Sequence, residues 1–156
     1  MSELLEPVVT DEQTPEPSPV TSTSKINLAI ESVINLINAM GNFATMTRGA
    51  LGINSGLSCE IAPSMASEIY LDKNAYFSVT LALNGKHHDL RVLTDTLNNI
   101  MDTMTRAKSY PSGDGWEVVD ISNGNLVRVI GREDNNLWLC ACDLVVKIYR
   151  KDDETA

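Results

Sequence analysis

YLDKNAYFSVTLALNGKHHDLRVLTDTLNNIMDTMTR, residues 70–106, joins a strand pattern to a helix pattern with only a few residues between them. After a predicted turn at Asp72–Asn74, apolar residues occupy alternate positions, which are Ala75, Phe77, Val79, Leu81 and Leu83. A period of two is typical of a strand with one buried face. The dipeptide Asn84-Gly85 is a turn signal and predicts the end of this strand.

The second half of the stretch predicts an amphipathic helix. Its apolar residues recur three or four positions apart and form one stripe, which comprises Leu90, Leu93, Leu97, Ile100, Met101 and Met104. Asp89 is the predicted N-cap, and Arg106 lies where the helix dipole favours a cation. The strand and the helix each need a layer over their apolar side, so the stretch predicts a sheet with helices on one face.

The rest of the chain supplies one more helix and several strands. The helix is predicted from its N-cap Ser24 through Met40, and Phe43 and Met46 can begin a further helical turn. Loops and turns are predicted at 48–56, 109–115, 122–125 and 131–136. Strands are predicted at 57–61, 68–71, 116–121, 126–130 and 137–149.

The strand predicted at 137–149 is the longest in the chain. Alternate residues give it one wholly apolar face, made of Trp138, Cys140, Cys142, Leu144, Val146 and Ile148. We therefore place it in the centre of the sheet, beside the strand that begins at Ala75. The predicted fold class is α+β, with a mixed, mostly antiparallel sheet and two helices packed on one face. Residues 25–150 are predicted to form a single domain of this class.

The acidity of the protein is concentrated outside this predicted domain. The formal net charge is −9, yet residues 25–150 contain 11 basic and 13 acidic residues. Residues 1–24 hold five acids and no base, and these acids are Glu3, Glu6, Asp11, Glu12 and Glu16. Residues 151–156 form an acidic C-terminal tail. The nearly balanced body argues against a basic nucleic-acid footprint and disfavours mimicry of DNA.

Residues 1–24 contain four prolines, many serines and threonines, and no aromatic residue. Such a segment buries too little apolar surface to order itself, so we predict a flexible arm, disordered or extended. The alternative is an arm that becomes ordered only against a neighbouring subunit. The first ten residues carry no Lys or Arg and are not a signal peptide. No apolar run approaches the ~20 residues of a membrane span, so we expect a soluble, intracellular protein without a membrane partner.

Two groups of residues are the candidates for chemistry. His87, His88 and Asp89 are adjacent, but a helical metal site needs its histidines four positions apart, so we interpret the trio as a helix start. Cys140 and Cys142 point to one apolar face and are predicted to be free thiols in the core, as expected for an odd number of cysteines. The sequence therefore predicts no catalytic, cofactor-binding or metal-binding residue and no enzyme. The enzymatic alternative is a small cytosolic enzyme that uses His88 and Asp89.

The order of these elements resembles the tail terminator proteins of long-tailed bacteriophages, also called minor capsid or tail-completion proteins. The resemblance covers residues 26–150. It rests on the apolar N-terminal helix with the strand LSCEIAPS, on EIYLDKNAYFSVTLAL, on LRVLTDTLNNIMDTM, and on WEVVDISNGNLVRVIGREDNNLWLCACDLVVKIYR. One departure is Lys73-Asn74, where the family often has a glycine after the Tyr-x-Asp turn. Asn tolerates positive φ, so this turn can be kept.

The resemblance implies a structural virion protein located in the tail or neck, assembled in the host cytoplasm. Such proteins form a ring, usually a hexamer, at the head-proximal end of the tail tube, where they stop tube polymerisation and join the head connector. Implied partners are further copies of the chain, the tail tube protein and the head-completion protein, with DNA passing through the lumen without specific binding. The alternatives are a tail tube subunit and a head-closure subunit.

On this interpretation the loops and the arm make the contacts between subunits. The implied interface residues belong to the loops predicted at 48–56 and 109–115 and to the turn predicted at 131–136. They are Arg48, Asn54, Tyr110, Asp114, Arg132 and Asp134. A closed ring needs head-to-tail contacts between two different surfaces of each subunit. The loops are therefore expected to present two such surfaces.

Overall fold

The computed structural model describes residues 24–62, 66–69 and 74–151. The helices are α1 (Lys25–Asn38) and α2 (Leu90–Thr105). The strands are β1 (Met46–Arg48), β2 (Gly56–Ala62), β3 (Ala66–Ile69), β4 (Ala75–His87), β5 (Ser112–Gly113), β6 (Trp116–Asn123), β7 (Arg128–Arg132) and β8 (Trp138–Arg150). Three predicted features lie outside the described residues, namely the arm before Ser24, the strand end and turn at 70–73, and the tail after Lys151.

The eight strands of the described residues form one sheet. The strand order is β1-β2-β4-β8-β6-β5, while β3 pairs with β4 and β7 pairs with β8. Only the β1–β2 pair is parallel among the strand pairs of the described residues. β4 and β8 pair without a register shift from Ala75↔Arg150 to His87↔Trp138. The predicted α+β class, the mixed, mostly antiparallel sheet and the central position of the last strand are confirmed.

Both helices pack on one face of this sheet, because their apolar stripes and the apolar faces of the strands bury each other. The fully buried residues of α1 and α2 join those of β4 and β8 in one core, which includes Ile30, Ile37, Leu93, Leu97, Ile100, Leu81, Leu83, Leu144, Val146 and Ile148. Burial of this kind is the main stabilising contribution to the fold. Among the described residues, neither helix has the length and apolarity needed to cross a membrane.

Each helix begins at its predicted cap. The Ser24 hydroxyl accepts a hydrogen bond from the Asn27 amide at 3.1 Å. Asp89 Oδ1 accepts from the amides of Arg91 and Val92 at 3.0 and 3.4 Å. Free amides at a helix N-terminus need such acceptors, so these caps locate both helix starts.

The prediction that Asn84-Gly85 ends a strand is wrong. β4 continues through both residues to His87, and Gly85 pairs with Cys140 of β8. A Cβ atom at Gly85 would lie 2.6 Å from Leu93 Cδ1 and 3.0 Å from Leu57 Cδ2. Within a strand, a glycine often marks a place where another segment packs closely. Here the missing side chain of Gly85 lets α2 pack closely on the sheet.

Five further predictions of element boundaries also differ from the structure. Phe43 and Met46 do not begin a helical turn, because Met46 starts strand β1. Arg48 ends β1 and so precedes the loop in which it was predicted. β6 extends to Asn123, into the turn predicted at 122–125, and the loop predicted at 109–115 contains the two-residue β5. Arg132 belongs to β7, so the turn predicted at 131–136 is shorter, because strand pairing with β8 continues through that residue.

Candidate assembly surfaces

Lys86 joins two loops at one end of the sheet. It lies near the end of β4 and is only 8% exposed. Its ammonium donates a hydrogen bond to the Gly52 carbonyl at 2.8 Å and forms an ion pair with Glu133 Oε1 at 3.0 Å. A lysine this buried needs such partners, because an unpaired buried charge is strongly destabilising. The ammonium therefore fixes the loop at 49–55 against the turn at 133–136.

A second bond links the same two segments, since the Asn135 side-chain amide donates to the Ile53 carbonyl at 3.1 Å. We call Lys86, Glu133 and Asn135, together with the backbone of Gly52 and Ile53, the loop clasp. The turn is shaped for this role. Asn136 has a φ of 67°, and the Glu133 amide donates to the Leu137 carbonyl at 2.8 Å. An asparagine adopts this left-handed conformation more readily than most residues.

The loop clasp presents an apolar side chain to solvent. Ile53 is 77% exposed at the tip of its loop. Three of the predicted interface residues, Asn54, Arg132 and Asp134, lie in or beside the same two segments and are exposed. The Arg132 guanidinium lies over the Trp138 ring, 5.2 Å from its centroid. The exposed Ile53 and its polar neighbours make this end of the sheet a candidate contact surface.

The loop predicted at 109–115 lies at the other end of β8. Trp116 pairs with Arg150, and the Lys151 amide donates to the Gly115 carbonyl at 2.9 Å. Asp114 is exposed here, as an interface residue requires. β8 has 13 residues, so the two ends lie ~40 Å apart at about 3.3 Å per residue.

Tyr110 is positioned differently from the other predicted interface residues. It packs against the core, and its hydroxyl donates to the Met104 carbonyl at 2.8 Å. Desolvation raises the pKa of this phenol, and the nearby Asp120 carboxylate raises it further. Tyr110 therefore anchors the loop within its own subunit while Asp114 points outward.

Arg48 lies apart from both ends, on the edge strand β1. It is exposed, and its guanidinium donates to Asn27 Oδ1 at 3.4 Å. The structure therefore brings Asn54, Arg132 and Asp134 together, places Asp114 at the opposite end, and leaves Arg48 along one side. Sequence reasoning missed Lys86 and Ile53. The signal for Ile53 was an isolated large apolar residue between glycine, asparagine and serine, whereas Lys86 gave none because its partners are distant in sequence.

The histidine pair lies where β4 ends and α2 begins. The His87 Nδ1 atom accepts the Asp89 amide at 2.9 Å, and its ring packs edge-on against Phe43 at 4.7 Å. The Asp89 carboxylate caps α2, while His88 is exposed. The interpretation as a helix start is confirmed for Asp89, whereas His87 ends strand β4.

The three cysteines are free and buried, which confirms the prediction made for Cys140 and Cys142. Burial raises the pKa of Cys59 to about 11 and that of Cys142 to about 12, and it also raises the pKa of Cys140. Because the thiolate is the reactive form, these thiols are poor nucleophiles and poor metal ligands near neutral pH. Within residues 24–62, 66–69 and 74–151, no three His, Cys, Asp or Glu residues cluster as a metal site would require.

Comparison with known proteins identifies the fold. No protein-family model matches the sequence, and no curated protein matches it. Among solved structures, the chain is similar to one from the virion of a native gene transfer agent particle, with a TM-score of 0.54 and 8% identity. The match covers 80% of this chain and 95% of that chain. It shows a shared fold across nearly the whole of the virion chain.

Proposed function

We propose that this protein is a structural virion protein that acts as a tail terminator. The observation that carries the proposal is the fold shared with a chain of the gene transfer agent virion over 95% of that chain. Most of the stretches that resemble phage tail terminators belong to the described sheet and helices, whereas residues 63–65 and 70–73 lie outside the described residues. In this function the chain has no reaction to catalyse and acts by assembly.

The distribution of exposed residues supports assembly into a ring. Head-to-tail contacts require two different surfaces on each subunit. The loop clasp end carries Ile53, Asn54 and Asp134, whereas the opposite end carries Asp114. Contact between the first end of one subunit and the second end of the next would close a ring if the rotation per subunit allows it. A hexamer is the size that the resemblance implies.

The proposed partners follow from this position. One rim of the ring would end the tail tube, and the other would meet the head connector, with the virion as the final location. DNA would pass through the lumen without specific binding, because residues 25–150 are nearly balanced in charge and slightly acidic. A mildly acidic lining repels phosphates and prevents tight binding of DNA.

Negative-stain microscopy of the protein mixed with tail tubes tests the proposal directly. We expect rings on one end of each tube, and a hexamer by mass in solution or on the tube. Open-ended filaments of the protein alone would favour a tail tube subunit instead. A strict monomer that leaves the tubes uncapped and has an activity lost on His88→Ala would overturn the proposal.

The interface residues can be tested in the same experiment. Asp114→Lys and Asp134→Lys each place a cation on an exposed surface that we assign to the contact, so both are expected to reduce the fraction of capped tubes. Asp95→Lys is the matched control, because Asp95 is also exposed but lies on α2. Equal capping by all three variants would remove Asp114 and Asp134 from the interface.

A further inference from the structure

Strand β7 exposes an edge of the sheet that is well suited to accept another strand. β7 pairs with β8 on one side and with no other strand among the described residues. Val129 and Ile130 are 48% and 54% exposed, although both are β-branched residues of the kind that sheets bury. An unpaired edge with exposed apolar residues is a template for strand addition.

The edge at β1 is protected in a way that β7 is not. The Asn38 side chain accepts the Met46 amide at 2.7 Å and donates to the Met46 carbonyl at 3.1 Å. These two bonds occupy the groups that an added strand would need at that residue. Because β1 is closed by a side chain at Met46 while β7 has no such cover among the described residues, β7 is the better of these two strands for accepting an added strand.

The charges on β7 indicate which segment of the chain supplies the added strand. Arg128 and Arg132 flank the exposed residues of β7. Of the two acids in the adjoining turn, Glu133 is already paired with Lys86, which leaves Asp134. The first 23 residues of the chain contain five acids and no base. Opposite charges of this kind select a partner and its register.

One part of that segment has the composition of a strand. VVTDEQT, residues 8–14, lies between Pro7 and Pro15 and contains no proline. Valine and threonine favour strands, and a proline within the run would break the hydrogen-bond ladder. Its seven residues are enough to pair with the five of β7. Asp11 and Glu12 would lie close to Arg128 and Arg132.

The position of Ser24 favours a contact between two copies of the chain. α1 begins beside the end of β8, because the Lys25 ammonium donates to the Lys151 carbonyl at 2.8 Å. β7 pairs with the beginning of β8, from Trp138 to Ala141. The segment therefore starts at one end of the sheet while β7 lies toward the other. Head-to-tail contact brings these opposite ends together in neighbouring subunits.

From these observations we infer that residues 8–14 of one copy add as a strand to the β7 edge of the neighbouring copy. The inference rests on the proposed ring, because head-to-tail contact is what would bring these two ends of neighbouring subunits together. Main-chain hydrogen bonds would supply affinity, and the two arginines would supply the preference for this acidic segment.

Cross-linking between full-length chains tests the contact. A Val9→Cys chain is mixed with an Ile130→Cys chain of distinguishable mass and treated with a short bis-maleimide. The three native thiols are buried, so the introduced thiols are the reactive ones. We expect a mixed dimer in several-fold higher yield than with Val92→Cys, a control whose site is 37% exposed on α2. Equal yields would overturn the inference.

Two further measurements separate the alternatives. A chain carrying both cysteines should give no internal cross-link at high dilution, and a strong one would show that the segment binds its own subunit instead. The double variant Arg128→Glu with Arg132→Glu should lower the yield of the mixed dimer several-fold. Adding Asp11→Lys with Glu12→Lys to the partner chain should restore that yield. The control Arg91→Glu with Arg106→Glu, on and just after α2, should leave the yield unchanged. Tubes capped by rings without the cross-link would overturn this inference and leave the proposed function standing. A cross-link between copies without any rings would support this inference and overturn the proposed function.

Discussion

The centre of the sheet and the loop clasp are held together by different kinds of interaction. β4 and β8 pair over 13 residues, and their helix-facing side chains are buried against α1 and α2. The loop clasp depends on three polar interactions of the Lys86 and Asn135 side chains with Gly52, Ile53 and Glu133. We therefore expect that the centre remains folded when the surface at the clasp is rearranged.

The largest effect is expected from a cavity in the centre. Leu97 is fully buried in α2, so Leu97→Ala should lower the free energy of unfolding by about 2–4 kcal/mol. Val146→Ala on β8 should act in the same direction. Urea denaturation measures the change, with Leu126→Ala as the control because Leu126 is 68% exposed. A loss as large for the control as for Leu97→Ala would contradict the assignment of the core.

A methyl group at Gly85 should also destabilise the centre, by overpacking. Gly85→Ala would place Cβ 2.6 Å from Leu93 Cδ1, so we expect a loss of about 1–3 kcal/mol in unfolding free energy. Gly131→Ala is the matched strand control, because nothing lies within 4 Å of a Cβ at Gly131. Denaturation midpoints of the two variants give the comparison, and similar midpoints would argue against the close packing of α2 on β4.

The loop clasp should loosen when Lys86 loses its charge. Lys86→Met keeps the aliphatic stem and removes both polar interactions, so we expect about 1–2 kcal/mol of destabilisation. Hydrogen exchange should rise at residues 49–55 and 133–136 and stay unchanged in β4 and β8. Lys108→Met, at an exposed position, serves as the control. Faster exchange throughout the sheet would mean that the clasp supports the fold itself.

Alkaline pH should weaken the centre through its thiols. Burial raises the pKa of Cys142 from 9.0 to about 12 and that of Cys59 to about 11. The folded state therefore keeps protons that the unfolded state loses above about pH 9, so stability is complete below that pH and falls as pH rises. A loss of about 1 kcal/mol per thiol is expected by pH 10. Urea denaturation at pH 7 and pH 10 measures the loss of unfolding free energy, which should be smaller in Cys142→Ala than in the unchanged protein. An equal loss in the two proteins would exclude this thiol as the cause.

The smallest effect is expected from the N-terminal segment. Deletion of residues 1–22 should leave the melting temperature nearly unchanged while reducing the proposed contact between copies. Calorimetry of the deletion variant and of the full chain measures the two melting temperatures. A large drop in melting temperature would mean that the segment stabilises its own subunit.

The sequence by itself determined the elements whose residues repeat with a helical or strand period. Each of these signals is local and could therefore be predicted. They are the apolar stripes of α1 and α2, the alternation in β4 and β8, and the caps Ser24 and Asp89. The burial of Cys140 and Cys142 followed from the same alternation. The expected roles of Asn54 and Asp114 remain predictions that the assembly experiments test.

Only the tertiary structure decided the features that join distant residues. Lys86 contacts Gly52, 34 positions away, and Asn135 contacts Ile53, 82 positions away. Gly85 has the sequence signature of a turn, and only the position of Leu93 shows that it permits close packing. The closed edge at β1 and the open edge at β7 also depend on which side chain folds back, and no periodic pattern specifies that. Periodicity therefore specified the core, whereas packing between distant segments specified the surfaces from which assembly would proceed.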